Sequence, residues 1–156
     1  MPRLDRLPQI NRNTLITFPA QVNDTSPRTP LAKPLAACRV GLVTTAGLHQ
    51  RGDRPFGPGD PSYRVIPSGT PTADILQSHT SLGFDRVPFM RDINISFPID
   101  RLRELVARGE VGGLAPNCYS VMGSLRDVGR LDAETGPEVG RLLRAEGVDA
   151  VLITPT

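Results

Sequence analysis

Residues 148–154 constrain this chain more than any other stretch. Ala150, Val151, Leu152 and Ile153 are apolar at successive positions, and Gly147 stands just before the run. An unbroken apolar run of this length, placed directly after a helical pattern, predicts a strand covered on both faces, as in a parallel sheet. In open α/β sheets the chemistry sits beyond the carboxyl ends of the strands. The sequence given stops there, at Thr156. We therefore expect either a site elsewhere or a chain that lacks a closing strand and helix.

A second apolar run, Val40-Gly41-Leu42-Val43, ends in Thr44-Thr45-Ala46-Gly47, the place of a ligand loop in a parallel sheet. Neither G-x-G-x-x-G nor G-x-x-x-x-G-K-[ST] occurs, so the usual nucleotide signatures are absent. Between these runs Ile93-Asn94-Ile95-Ser96-Phe97 alternates like a half-buried strand. Pro98 then opens a helix to about Arg108, with Ile99, Leu102, Leu105 and Val106 on one face and Gly109 at its end. Residues 111–116 read as a short strand entering a loop over 117–123. Thr135 and Glu138 fit a capping box for a helix that buries Val139, Leu142 and Leu143. Residues 48–72 form a long Gly/Pro/Asp/Arg-rich loop with a short strand near 62–66. Its Arg51-Gly52-Asp53 triplet is read as loop chemistry, because no secretion signal precedes it.

Strand, helix, strand, helix, strand gives the fold class: α/β, an open, mostly parallel sheet with flanking helices and a Pro-rich N-terminal arm. Residues 1–37 are assigned to that extended arm, including Leu15, Ile16, Phe18, Pro27, Pro30 and Pro34, with one short helical turn within it. Residues 38–156 form a single α/β domain. With 38% hydrophobic residues but only 4% aromatic, its core must be aliphatic. Eighteen Lys and Arg nearly balance sixteen Asp and Glu, and they are interspersed, which leaves no nucleic-acid footprint. No run suits a membrane span or a signal peptide, so the expectation is a cytoplasmic protein whose two cysteines, Cys38 and Cys118, are thiols.

The candidate site residues each carry two readings. His79 and Cys118 are the catalytic candidates: an imidazole that can move a proton, and a thiol that a neighbouring base could activate. Read plainly, they are a hydrogen-bonding histidine and a packed thiol. His49, after the first strand, and Asp92, before the alternating segment, are candidates for substrate contact, or else surface groups. Thr44, Thr45, Thr154 and Thr156 follow apolar runs at strand carboxyl ends, where hydroxyls and amides can face an anionic ligand or serve as turn residues. His49, His79 and Cys118 could form a metal site, but their wide spacing supports it weakly, and no metal is assigned.

Several stretches, in order, resemble one family: 34–35 with 40–48, Ser78-His79-Thr80, 92–102, 113–123 and 146–156. They are similar to the selenoprotein B component of the glycine/sarcosine/betaine reductase and D-proline reductase family, over roughly residues 30–156. The resemblance implies that selenocysteine, or cysteine, follows Thr156, and that a further strand and helix then complete the domain. It implies thiol- and selenol-dependent reductive cleavage of a C–N bond in an amino acid or related small amine. A thiol reductant system and partner reductase subunits would belong to such a reaction. One departure stands out: where the family is expected to carry His, this chain carries Cys118. Lacking the redox residue, the sequence as given is expected to be inactive, with no cofactor of its own. A non-catalytic subunit that binds a small carboxylate is the alternative. An open sheet edge would favour a homodimer.

Overall fold

The computed structural model describes residues 4–17, 22, 24–26, 29–81 and 86–155. Strand β1 (Arg39–Thr44) is the centre of the sheet. One of its edges pairs in parallel with β7 (Ala150–Thr154) along the whole register from Val40↔Ala150 to Thr44↔Thr154. Its other edge pairs in parallel with β5 (Gly113–Leu114) at the start and β6 (Asn117–Val121) at the end. Pro116 separates the two pieces, because proline has no N–H to give the ladder. β3 (Tyr63–Pro67) closes the far side, antiparallel to β6. A separate antiparallel pair, β2 (Leu48–Gln50) and β4 (Ile75–Gln77), carries the chain over the carboxyl end. The sheet is thus mixed and mostly parallel, as expected.

Strand alternation sorts the core into two layers. Val40 and Leu42 face a cluster with Ile66, Phe97, Cys118 and helix α3 (Ile99–Ala107), which buries Ile99 and Leu102. Truncating Leu42 to Ala there would cost about 2–5 kcal/mol. Val43 and Tyr119 face the opposite cluster with Val139 and Leu143 of helix α4 (Gly136–Ala145). Gly41 permits this second layer: a Cβ there would stand 2.8 Å from Leu143 Cδ2. Gly147 ends α4 in the left-handed region at φ 70°, and the Val148 N–H donates back to the Leu143 carbonyl.

Five expectations change in detail. The arm is not simply extended: Gln9–Ile16 form helix α1, and none of its residues is buried. Phe18 and Pro27 lie outside the described residues. Residues 93–97, which follow the short helix α2 (Val87–Arg91), are not a strand. Asp92 Oδ1 accepts from the Asn94 N–H and draws Ile93–Ile95 into a 3-10 turn. The turn delivers Phe97 to the core and leaves Ile95 outside. The 117–121 stretch is the buried strand β6 rather than a loop.

The capping box does not form, because the helix begins upstream of Thr135. Leu131–Thr135 is a π turn in which the Gly136 N–H reaches the Leu131 carbonyl. The wider turn suits Pro137, whose ring would crowd an ordinary α-helical carbonyl four residues back. The Thr135 hydroxyl instead donates to the Pro61 carbonyl at 2.7 Å.

The last difference concerns β7, which among the described residues pairs with β1 alone and has little packed over its apolar side chains. Val151, Leu152 and Ile153 are 41%, 39% and 62% exposed.

Candidate functional site

The carboxyl ends of β1, β6 and β7 meet the β2–β4 pair and the turn after Asp92. Thr44 is fully buried, and its hydroxyl donates to the Ser96 carbonyl at 2.8 Å while accepting from the Ala46 N–H. Thr154 stands beside it on β7, and its hydroxyl donates to the same carbonyl at 2.8 Å. These two hydroxyls are engaged with Ser96 rather than open to a ligand. They clamp the end of β7 and the 92–97 turn onto β1. Thr156 lies outside the described residues.

His79 is the candidate side chain that this scaffold holds most closely. It is 1% exposed. Its Nδ1 accepts from the Ser81 N–H at 3.2 Å, so in the neutral ring the proton sits on Nε2. Burial, and then the positive charge of Arg86, holds the imidazole below its ordinary pKa. Arg86 also donates to the His79 carbonyl at 2.6 Å. Nε2 is directed at Gly123: a Cβ on that glycine would lie 3.0 Å from His79 Nε2, 2.8 Å from the Thr45 carbonyl and 3.1 Å from the Thr45 hydroxyl. His79, Thr45 and Gly123 therefore meet at one point. Gly47, at φ 62°, lets the chain turn there, and its missing side chain admits the His79 backbone, which a Cβ would approach to 3.2 Å.

The structure does not bring the other candidates to that point. His49 lies on β2 with Nδ1 2.9 Å from the Gln50 carbonyl, to which it donates. Cys118 is 2% exposed in the α3-side core, and burial pushes its thiol up to about 12. Such a thiol has almost no thiolate at neutral pH and acts as a packing group. Asp92 is exposed; its hydrogen bonds from Asn94 hold the carboxyl below the usual range. It borders a groove of about 440 Å³ with Arg91, Asn94, Asp100 and Phe89. Among the described residues no group of three or more His, Cys, Asp or Glu side chains is placed to hold a metal ion.

Sequence reasoning missed Ser96, Gly123 and Ser120. The Ser120 hydroxyl is fully buried and accepts from the Leu48 N–H at 2.7 Å, fixing β2 over the site. It also missed a polar cluster lower on β6. There Tyr119 and Asn117 each donate to Glu146 Oε1 at 2.8 Å, and burial with this carboxylate raises the Tyr119 hydroxyl pKa. The Gly123 turn signal was visible, but its neighbours were not.

A mostly parallel open sheet with flanking helices, and with a neutral imidazole and backbone turns over the carboxyl ends of its strands, defines an α/β domain whose candidate site lies at that end. The model of the glycine/sarcosine/betaine reductase selenoprotein B family matches residues 70–156, and the chain belongs to that family. Among curated relatives it is 44% identical over 127 residues to the D-proline reductase subunit gamma of Acetoanaerobium sticklandii, covering 81% of this chain and 52% of that one. It is 30% identical to the glycine reductase complex component B subunit gamma of Carboxydothermus hydrogenoformans, covering 92% of this chain and 34% of that one. It is 29% identical to the sarcosine reductase complex component B subunit beta of Peptoclostridium acidaminophilum, covering 89% and 33%. The chain thus spans about half the length of the first relative and a third of the other two. No solved structure matches it. Among the described residues no helix is long and apolar enough to cross a membrane.

Proposed function

We propose that this chain is a subunit of an amino-acid reductase of the selenoprotein B type, with its redox residue carried just beyond β7. The observation that carries this reading is the site's placement. His79, Thr45 and Gly123 meet beside the carboxyl end of β7, which Thr154 clamps to Ser96, in a chain whose relatives are reductase components. The reaction is reductive cleavage of a C–N bond in an amino acid or related small amine. One C–H and one N–H bond form, and two thiol-level groups of a reductant system are oxidised to a disulfide-level bond. A selenol beyond Thr156 would supply a nucleophile ionised at neutral pH.

The chain's own residues orient and donate. The neutral His79 carries its proton on Nε2 at the strand ends, where it can donate a hydrogen bond to a substrate acceptor such as a carboxylate. The Thr44–Ser96–Thr154 clamp holds the end of β7 in register, so that a residue following it has a fixed direction. Cys118 contributes packing rather than attack. Partner subunits of the reductase complex complete the assembly.

Reading the codon after that for Thr156, and the frame beyond it, tests the proposal. A UGA or cysteine codon followed by open frame is expected. A UAA or UAG there, or a UGA with no coding frame behind it, would overturn the reading in favour of a binding subunit without redox chemistry.

A further inference from the structure

We propose that Arg64 is a positioning residue for His79: by clamping the 54–62 loop it sets Phe56 as a wedge that holds the imidazole in place beside Gly123. What Arg64 does for catalysis rests on the reading of His79 as part of a reductase site. What it does to the imidazole does not, so the two can fail separately.

The loop has little to hold itself with. Residues 54–62 include three prolines and two glycines and form neither helix nor strand. Their carbonyls need donors from elsewhere. Arg64 on β3 supplies them with all five of its N–H groups. Nε donates to the Arg54 carbonyl at 2.8 Å. Nη1 donates to the Ser62 hydroxyl at 2.7 Å and the Tyr63 carbonyl at 2.9 Å. Nη2 donates to the Pro55 carbonyl at 3.4 Å and the Asp60 carboxylate at 3.2 Å. The side chain is only 13% exposed. A planar fork of five donors is a property of arginine that lysine does not share.

The guanidinium also lies over the Phe56 ring, 4.2 Å from its centroid. Phe56 is buried and packs in one cluster with Met122 and Leu125. Its N–H donates to the Ser78 hydroxyl oxygen at 2.8 Å, and Ser78 in turn donates its own N–H to the Gly47 carbonyl at 3.0 Å. One residue thus meets both segments that build the His79 contact. Ser78 precedes His79, and Met122 precedes Gly123. Thr80, which follows His79, donates to the Met122 sulfur at 3.9 Å. Both chain neighbours of His79 are therefore tied to the Phe56–Met122 pair.

If the clamp served the loop alone, His79 would not depend on it. The contacts run the other way, from the Arg64 fork to Phe56, from Phe56 to Ser78 and Met122, and from these to His79 and Gly123. The burial that keeps His79 neutral depends on this chain of contacts, together with the nearby charge of Arg86.

Titration of the histidine ring resonances by NMR in the intact protein tests the proposal, with His49 as the internal reference. In the wild type His79 should titrate below about 6.5, the ordinary value. Arg64→Lys keeps the charge and loses the fork. There the His79 midpoint should rise toward the ordinary value and its resonances should move, while those of His49 stay. Phe56→Leu removes the ring and no charge, stays apolar in the core, and should do the same. Arg64→Gln should match Arg64→Lys. A rise confined to Arg64→Gln would reduce the effect to bare charge and overturn the proposal. So would variants that melt earlier by circular dichroism yet keep the wild-type His79 midpoint and resonances, for Arg64 would then brace the loop alone. Should Arg64→Lys fail to fold, Phe56→Leu decides by the same readout.

Discussion

Thr44 and Thr154 face each other across the β1–β7 pair, and both hydroxyls donate to one carbonyl, that of Ser96, at 2.8 Å. One acceptor with two donors ties β1, β7 and the turn before α3 together at the end where the candidate site lies. The arrangement makes the two threonines energetically dependent on each other.

Replacing either threonine by valine leaves Ser96 with one donor and should cost about 1 kcal/mol. Thr44→Val should be the worse of the two, because the Ala46 N–H also loses its acceptor. The double variant strips a buried carbonyl of both donors, so its loss should exceed the sum of the single losses. Urea denaturation through a double-mutant cycle measures the difference; strict additivity would show that the shared carbonyl does not couple them.

Gly123 leaves no room for a side chain. In Gly123→Ala the new methyl meets the Thr45 carbonyl at 2.8 Å and His79 Nε2 at 3.0 Å. Backbone must shift, at about 1–3 kcal/mol. Thermal melting should record the loss, and the imidazole resonances of His79 should move while those of His49 stay.

His79 titrates below its ordinary value in the folded protein, because burial and Arg86 disfavour the charged ring. In the unfolded chain it protonates near about 6.5. Between those two pKa values the unfolded state binds more protons, so stability rises with pH there. The contribution is fully present above the unfolded pKa and is lost as pH falls through the folded one. His79→Asn, which keeps an acceptor for the Ser81 N–H, should flatten this part of the curve. Urea midpoints taken from pH 8 down to pH 5 for both proteins decide the matter.

Cys118 should resist alkylation in the native protein. Its thiol is pushed to about 12 by burial and is 2% exposed. Iodoacetamide at neutral pH, followed by peptide mass spectrometry, should leave it unmodified until denaturant is added. Rapid native labelling would reopen a nucleophilic role for it.

Much of the fold was legible in residue order. The apolar runs at 40–43 and 150–153 became parallel neighbours, and the helical face of Ile99 and Leu102 became the α3 core. Those signals are local: period, caps and chain stops act within a few residues. The 93–97 segment misled because alternation alone does not make a strand. A single Asp92 side chain offered the backbone a closer partner and drew it into a turn. The π turn at Leu131–Thr135 was likewise invisible, since it resolves a clash of Pro137 with backbone one turn earlier.

The site shows the same division. From the sequence alone came the mostly parallel α/β sheet, His79 as a candidate, and the family that the ordered motifs resemble. Tertiary structure decided what each group does. Thr44 and Thr154 spend their hydroxyls on Ser96, which lies 52 and 58 residues away in the chain. His79 takes its tautomer from Ser81 and meets Gly123 only because β6 lies beside β1. Cys118 is quiet because the α3 layer closes over it. Hydrogen-bond partners, burial and pKa depend on which distant segments arrive at a point, and that is fixed by packing rather than by local pattern.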